Sequence, residues 1–295
     1  MKQVHAKNGG IADMLRNAVR VYLFGLGLGL RLICAGMVVE GIRLLIANIG
    51  YWRFLPNGIV LEHLSRTEKA RILDLSSPKL LSIFLAAKTK GAVLSTDLSD
   101  EKIFCRWKKA ADVIGLTNYN VEYQDGRTLS YPDSYFDFAY SISVMEHIPD
   151  DGDTKSLGEL FRVLKPNAKL VIEVPYRRRG KDVLRKCDSR GKQVRVPQFY
   201  ERHYDAGSLN SRLRFSGLKL QETILLGEWL PIDPLIAGDL LPRWLRIAFM
   251  PWEPLLAILN YWSRQNGKHY GRPLAAVLVY TVEKRTEVQP AISCK

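Results

Sequence analysis

Asp74, Asp97 and Asp125 set out the chemistry open to this chain. They stand at the ends of the stretches ARILD, AVLSTD and NVEYQD. A carboxylate at the end of a strand can accept hydrogen bonds from the hydroxyl or amino groups of a ligand. Small or apolar neighbours accompany each acid: Ser76 and Ser77 after Asp74, Leu98 after Asp97, Gly126 after Asp125. Ser141, Ser143, Glu146 and His147 follow a further apolar stretch, and His203 with Tyr204 follows a basic segment. Imidazole exchanges a proton near neutral pH, so His147 and His203 are the candidate general bases. The four cysteines (Cys34, Cys105, Cys187, Cys294) are far apart, with no metal-ligand spacing and no disulfide framework, as in a reducing compartment.

These residues need strands behind them and helices between. Residues 70–75 read as a buried parallel strand, followed by a helix over about 79–87 that Ser77 can cap. Residues 92–96 form a second strand, and Ser99 can cap the helix that follows. Asp97 is equally suited to that cap. A third strand covers 121–123, a fourth 136–141 and a fifth 169–174. Between the last two, a helix over 155–164 stops at Lys165-Pro166-Asn167. Strand, helix and strand with short connections make right-handed parallel crossovers. Ligands of such sheets bind beyond the carboxyl ends of the strands. Residues 218–225 and 275–281 are the sixth and seventh strands, and Asp205 caps a helix over about 207–215.

The stretch from Asn118 to Pro175 resembles the class I S-adenosylmethionine-dependent methyltransferases, particularly those acting on small molecules, lipids and quinones. The resemblance rests on Asp125, on Leu129-Ser130-Tyr131-Pro132-Asp133-Ser134-Tyr135-Phe136-Asp137, on Ser143-Val144-Met145-Glu146-His147-Ile148, and on Arg162-Val163-Leu164-Lys165-Pro166-Asn167. It implies a Rossmann-like, mostly parallel α/β sheet of seven strands, helices on both faces, and an antiparallel last pair. It also implies S-adenosylmethionine as cofactor, with Asp74, Ser76 and Ser77 at the methionine end. Asp97 and Leu98 would hold the ribose, and Asp125 and Gly126 the adenine, with Ser143 alongside. As a plain reading of the residues, Asp125 is a solvated turn acid. The family's glycine-rich loop is replaced here by Ser76, Ser77, Pro78, Lys79 and Leu80. Glycines let a backbone approach the ligand and free helix N–H groups bind it, whereas Pro78 has no N–H to offer.

The chain has 295 residues, 47% of them hydrophobic, enough for one large domain with additions or for two small domains, and too apolar for global disorder. Its net charge of +13 favours polyanions: anionic membrane surfaces, phosphorylated substrates or nucleic acid. Basic residues concentrate in a segment from Arg177 to Arg195, expected as a loop beside the acceptor. No aromatic side chain interrupts that segment, so a base-stacking surface has little support.

Two apolar additions flank the domain, expected over 67–285 with a tail at 286–295. In the N-terminal extension, 1–66, residues 21–39 are almost wholly apolar apart from Arg31. They read as an interfacial helix, a membrane span or a helix packed on the domain. Gly25, Gly27, Gly29 and Gly36 would let another helix approach. Tyr51 to Phe54 suit either a membrane boundary or an aromatic corner. The insert at about 226–272 is rich in tryptophan and broken by Pro242, Pro251 and Pro254, which speaks against one continuous span. It reads as a lid, a membrane contact or a cap on the N-terminal helix. The leading expectation is a cytoplasmic, membrane-associated methyltransferase for a small or lipid-like acceptor. A non-catalytic methyltransferase-like scaffold and an RNA methyltransferase are the alternatives.

Overall fold

A computed structural model describes residues 11–64, 69–98, 101–187, 193–237, 242–264 and 271–283. The expectations placed on Thr67, Ser99, Arg190, Lys192 and the tail at 286–295 lie outside the described residues.

The described residues open with three helices, α1 (Ile11–Cys34), α2 (Val38–Ile46) and α3 (Phe54–His63). The apolar run expected as one helix over 21–39 is broken by Gly36, which takes φ +84. The Gly36 N–H bonds to the Ile33 carbonyl (3.0 Å) and the Met37 N–H to that of Leu32 (2.8 Å), a Schellman stop. α1 is long and apolar enough to cross a membrane. One face of it, through Met14, Ala18, Val21, Leu28 and Leu32, is nevertheless buried in the core, while Leu23 and Leu30 are exposed. The crossings are close. A Cβ on Gly41 would stand 2.5 Å from the Gly29 carbonyl oxygen, and one on Gly58 2.1 Å from that of Met14.

The α/β unit follows as β1 (Ile72–Asp74), α4 (Lys79–Lys88), β2 (Val93–Asp97), α5 (Glu101–Val113), β3 (Tyr119–Tyr123), β4 (Phe136–Ile142), α6 (Gly152–Val163) and β5 (Leu164–Pro175). The turn expected at 165–167 is absorbed into the sheet. Leu164 ends α6 and already pairs with Phe136, and a bulge carries the register on to Phe138 and Lys169. The segment expected as a basic loop is instead a hairpin, β6 (Lys181–Cys187) and β7 (Gln193–His203). Next come α7 (Ala206–Arg212), which starts in a capping box of Asp205 and Ser208, and β8 (Leu218–Glu228). The insert folds as α8 (Ile232–Ala237), α9 (Arg243–Phe249), α10 (Glu253–Asn260) and β9 (Tyr261–Arg264), and β10 (Arg272–Val282) closes the described chain.

The sheet order is β3-β2-β1-β4-β5-β10-β8-β9. β1 to β5 are parallel, and β10 runs antiparallel between β5 and β8. The first seven strands of that order are the expected ones; β9 is an added edge strand supplied by the insert. One hydrophobic cluster packs the N-terminal helices and α4 on one sheet face, and a second packs α6 on the other. Tyr51 joins the two additions. Its N–H bonds to Glu253 (2.7 Å), its hydroxyl meets Glu228 and Asn260, and its ring stacks on Tyr261 at 4.6 Å. Tyr51 and Phe54 are fully buried, so this stretch is the packed corner rather than a membrane boundary.

Gly58→Ala should destabilise the fold by about 1–3 kcal/mol, because a backbone must shift to admit the methyl group. Gly27→Ala, where a Cβ meets nothing within 4 Å, should be neutral or stabilising. Thermal denaturation of both tests the close approach; equal melting temperatures would refute it.

Candidate active site

The candidate residues gather at the carboxyl edge of the parallel strands, around three adjoining cavities. The first, of about 330 Å³, lies between the β1–α4 loop and helices α1 and α2. Ser76, Ser77, Lys79, Asp97 and Ser143 line its sheet side; Arg43 and Leu44 of α2 line its roof. The second, of about 220 Å³, is bounded by Ser76, Leu98, Asp125, Gly126, His147 and Ile148. The third, of about 260 Å³, lies towards the insert and the hairpin, among Arg53, Glu146, His147, Glu173, Glu201 and His203. Ser76 borders the first and second, Ser143 and Arg53 the first and third, and His147 the second and third.

Asp74 does not line a cavity wall in this arrangement. It is fully buried and works inside the loop, accepting from the Ser77 N–H (2.9 Å) and the Ser95 hydroxyl (2.5 Å). Burial pushes its carboxyl up, against the pull of Lys79 and the two serines. Ser77 does not cap α4, as the sequence had suggested: its hydroxyl accepts from the Ile142 N–H (2.8 Å), tying the loop to β4. Pro78 occupies the cap position without a side-chain bond. Ser76 takes φ +56, the left-handed conformation for which the family's glycine is suited. Lys79 keeps the cavity open rather than filling it. Its ammonium lies below the loop, donating to the carbonyls of Ser77 (2.8 Å) and Thr96 (2.9 Å), with Asp97 at 3.3 Å.

Asp125 is held by Arg127, whose guanidinium contacts both carboxylate oxygens (3.0 and 2.6 Å) and keeps its carboxyl below the usual range. Leu98 is exposed at the same cavity and Gly126 is buried in its wall. Ser143, at φ +54, donates from both N–H (2.9 Å) and hydroxyl (3.0 Å) to Glu173. His147 Nδ1 meets the Tyr200 carbonyl of the hairpin (2.8 Å), and its Nε2 is 3.8 Å from Glu146. His203 pairs with Glu201 at 2.9 Å. Both candidate bases thus face the third cavity, 56 positions apart in sequence, because β7 folds back over the site. The hairpin is fastened from beneath by fully buried Asp153, which binds Arg202 (3.0 Å), Tyr204 (2.6 Å) and Arg212.

Sequence reading missed Glu173, Arg53 and the role of Lys79. The signal for Glu173 was present: it is a carboxylate inside the apolar strand LVIEVP. It is buried beside Glu146, which is buried too. Burial pushes Glu173 up to about 7. Burial and the neighbouring Glu173 charge push Glu146 well above the carboxylate range. Arg53 stands at the mouth shared by the first and third cavities.

The architecture is a mostly parallel α/β sheet with an antiparallel strand inserted beside β5 and cavities at its carboxyl edge. Residues 73–172 match the family model described as "Methyltransferase domain". Those residues carry a methyltransferase domain, and S-adenosylmethionine is the cofactor that the match implies. Among solved structures it is similar to a methyltransferase from Methanosarcina mazei described as SAM-dependent (17% identity, TM-score 0.50, 76% of this chain and 97% of that one). It is similar also to the YcgJ protein from Bacillus subtilis (14%, 0.50, 77% and 97%) and to the [4+2]-cyclase SpnF (15%, 0.50, 77% and 80%). At these identities the likeness establishes the fold alone. No curated protein matches the chain. The residues present fit the cofactor. Asp97, one-fifth exposed and 3.3 Å from the Lys79 ammonium, lines the first cavity where it would meet ribose hydroxyls, Leu98 and Ile148 line the second where they would meet a base, and the Ser76–Ser77 loop borders both.

Two outcomes follow. Ser76→Val should cost about 1–2 kcal/mol, since a β-branched residue resists the left-handed region, while Ser76→Gly should fold at least as well. Urea unfolding of the pair decides, and equal losses would reject the strain. For Glu173 the folded value lies above the ordinary 4.5, so its contribution to stability is complete below about that pH and is lost as pH rises towards about 7. Glu173→Gln should therefore melt progressively higher than wild type between pH 5 and about 8. A melting difference independent of pH would contradict the assignment.

Proposed function

We propose that this protein transfers a methyl group from S-adenosylmethionine to a small or lipid-like acceptor at a membrane surface. One observation carries the reading. Arg43, Leu44 and Ala47 of α2 line the cofactor cavity, while Val38, Val39, Ile42 and Ile46 of the same helix are exposed on its other side. α2 packs beside the insert, where Trp252, Leu255 and Leu259 are exposed as well. An exposed apolar face on a chain that also exposes basic side chains such as Arg31 suits the interface of an anionic bilayer. An acceptor taken from that interface would have a short path to the third cavity, between hairpin and insert.

Bound S-adenosylmethionine supplies an electrophilic methyl on a sulfonium. The chain's own task is to hold cofactor and acceptor in line at near-attack distance. Asp97 would accept from the ribose, the Ser76–Ser77 loop would border the methionine moiety, and Leu98, Asp125 and Gly126 would border the base. Trp52 and Tyr261 border the acceptor side.

Calorimetric titration with S-adenosylhomocysteine should show binding that falls about tenfold or more in Asp97→Ala, the worth of a hydrogen bond to a charged group. No heat at millimolar ligand would overturn the enzyme reading. The protein should co-float with phosphatidylcholine vesicles containing phosphatidylglycerol, more weakly with phosphatidylcholine alone, and not with either after Val39→Glu and Ile42→Glu are combined. Flotation unchanged by that pair would remove the membrane from the reading.

A further inference from the structure

The third cavity holds two buried carboxylates that binding of the cofactor leaves unused. Glu173, 3% exposed, comes from the end of β5; Glu146, 2% exposed, comes from the short helical turn after β4. Glu173 is oriented by the two bonds from Ser143, whose backbone borders the cofactor cavity. Glu146 Oε1 faces His147, but its Oε2 is buried with no hydrogen-bond partner. A buried carboxyl oxygen without a donor is costly, and a donor that arrives with a ligand would relieve that cost.

Arg53 approaches from the turn before α3, His147 adjoins Glu146, and Glu201 and His203 face the pair from the hairpin. Arg177, after β5, is spent on the carbonyls of Leu274 (2.7 Å) and Tyr176 (3.0 Å) and on Asp233. Arg185 lies over the Tyr200 ring at 3.3 Å. Tyr261 borders the cavity from the insert. Two adjacent buried carboxylates resist ionising together, so such a pair retains a proton where a single exposed glutamate would have none.

We propose that Glu146 and Glu173 act together as the proton acceptor for methyl transfer, and that the acceptor therefore presents a hydroxyl or an amine rather than a carboxylate. This rests on the methyltransferase reading above. The acceptor's oxygen or nitrogen donates its hydrogen bond to the vacant Oε2 of Glu146. Its lone pair forms the new bond to the methyl carbon, the carbon–sulfur bond breaks with its electron pair remaining on sulfur, and the acceptor's proton passes to the carboxylate pair and on to solvent. A carboxylate acceptor has no proton to give and would meet like charge in the cavity. The upward-shifted Glu173 matches a base that works near neutral pH, and the neighbouring Glu146 shares the proton.

The test uses the full chain, methyl-labelled S-adenosylmethionine and a total lipid extract, with the labelled product then treated with mild alkali. Ethers and methylamines keep the label; a methyl ester releases it as methanol. The expected results are an alkali-stable label and a transfer rate that rises with pH through about 7, as the pair ionises. In Glu173→Gln and in Glu146→Gln the rate should fall by about 10²–10⁴-fold, the usual worth of a general base, with that pH limb lost and S-adenosylhomocysteine affinity within about twofold of wild type. An alkali-labile label, or variants that keep both rate and pH profile, overturns this inference alone. The wild-type pH profile stands even if either variant misfolds. No labelled product while S-adenosylhomocysteine binds normally sinks the enzyme reading and this inference with it.

Discussion

A single buried ammonium holds the cofactor edge together. Lys79 is 3% exposed, and removing a charge from water costs several kcal/mol unless partners replace the water. Here two carbonyls and the carboxylates of Asp74 and Asp97 do so, and they belong to β1, its loop and β2. The ends of two strands are thereby fixed relative to each other by electrostatics. A glycine loop achieves close approach through backbone freedom. This chain uses serine and proline in the loop and obtains its shape from the lysine below and from Ser77 bonding to β4.

That exchange moves the site's adaptability elsewhere. The cofactor cavity is roofed by α1 and α2, which lie outside the matched residues 73–172, and the acceptor side is bounded by the hairpin and the insert. The parallel sheet positions Asp97, Ser143 and Glu173. The additions decide what reaches them. SpnF, named as a cyclase, shares this fold, so the architecture alone does not name the chemistry and the groups facing the third cavity must.

Much of the framework was legible in the sequence because strands buried on both faces read as apolar runs, and because acids and serines recur at their ends. Asp97, Asp125, Ser143 and His147 emerged where strand-end reasoning put them. Asp74 did not: its carboxylate turns inward, and only the packing of Ser95 from β2 against it reveals this. Glu173 was hidden by the same rule that found the strand, since a hydrophobic average over LVIEVP masks its one charged member. The hairpin was misread as a loop because its pairing depends on Asp153 of α6 gripping Arg202 and Tyr204, contacts about 50 residues apart in sequence. Whether the first apolar run packs or spans is likewise decided by long-range partners, namely the glycine contacts with α3 and the knot around Tyr51.

That knot also bears on how the chain is made. Glu253 and Asn260, which secure Tyr51, lie 202 and 209 residues downstream. At ribosomal speeds of about 5–20 residues per second, the first helices emerge on the order of 10–40 s before those partners exist. Through that interval the apolar side destined for the insert has nothing of its own chain to meet. A nearby bilayer, or a chaperone, would shelter the nascent N-terminus until synthesis reaches the last third.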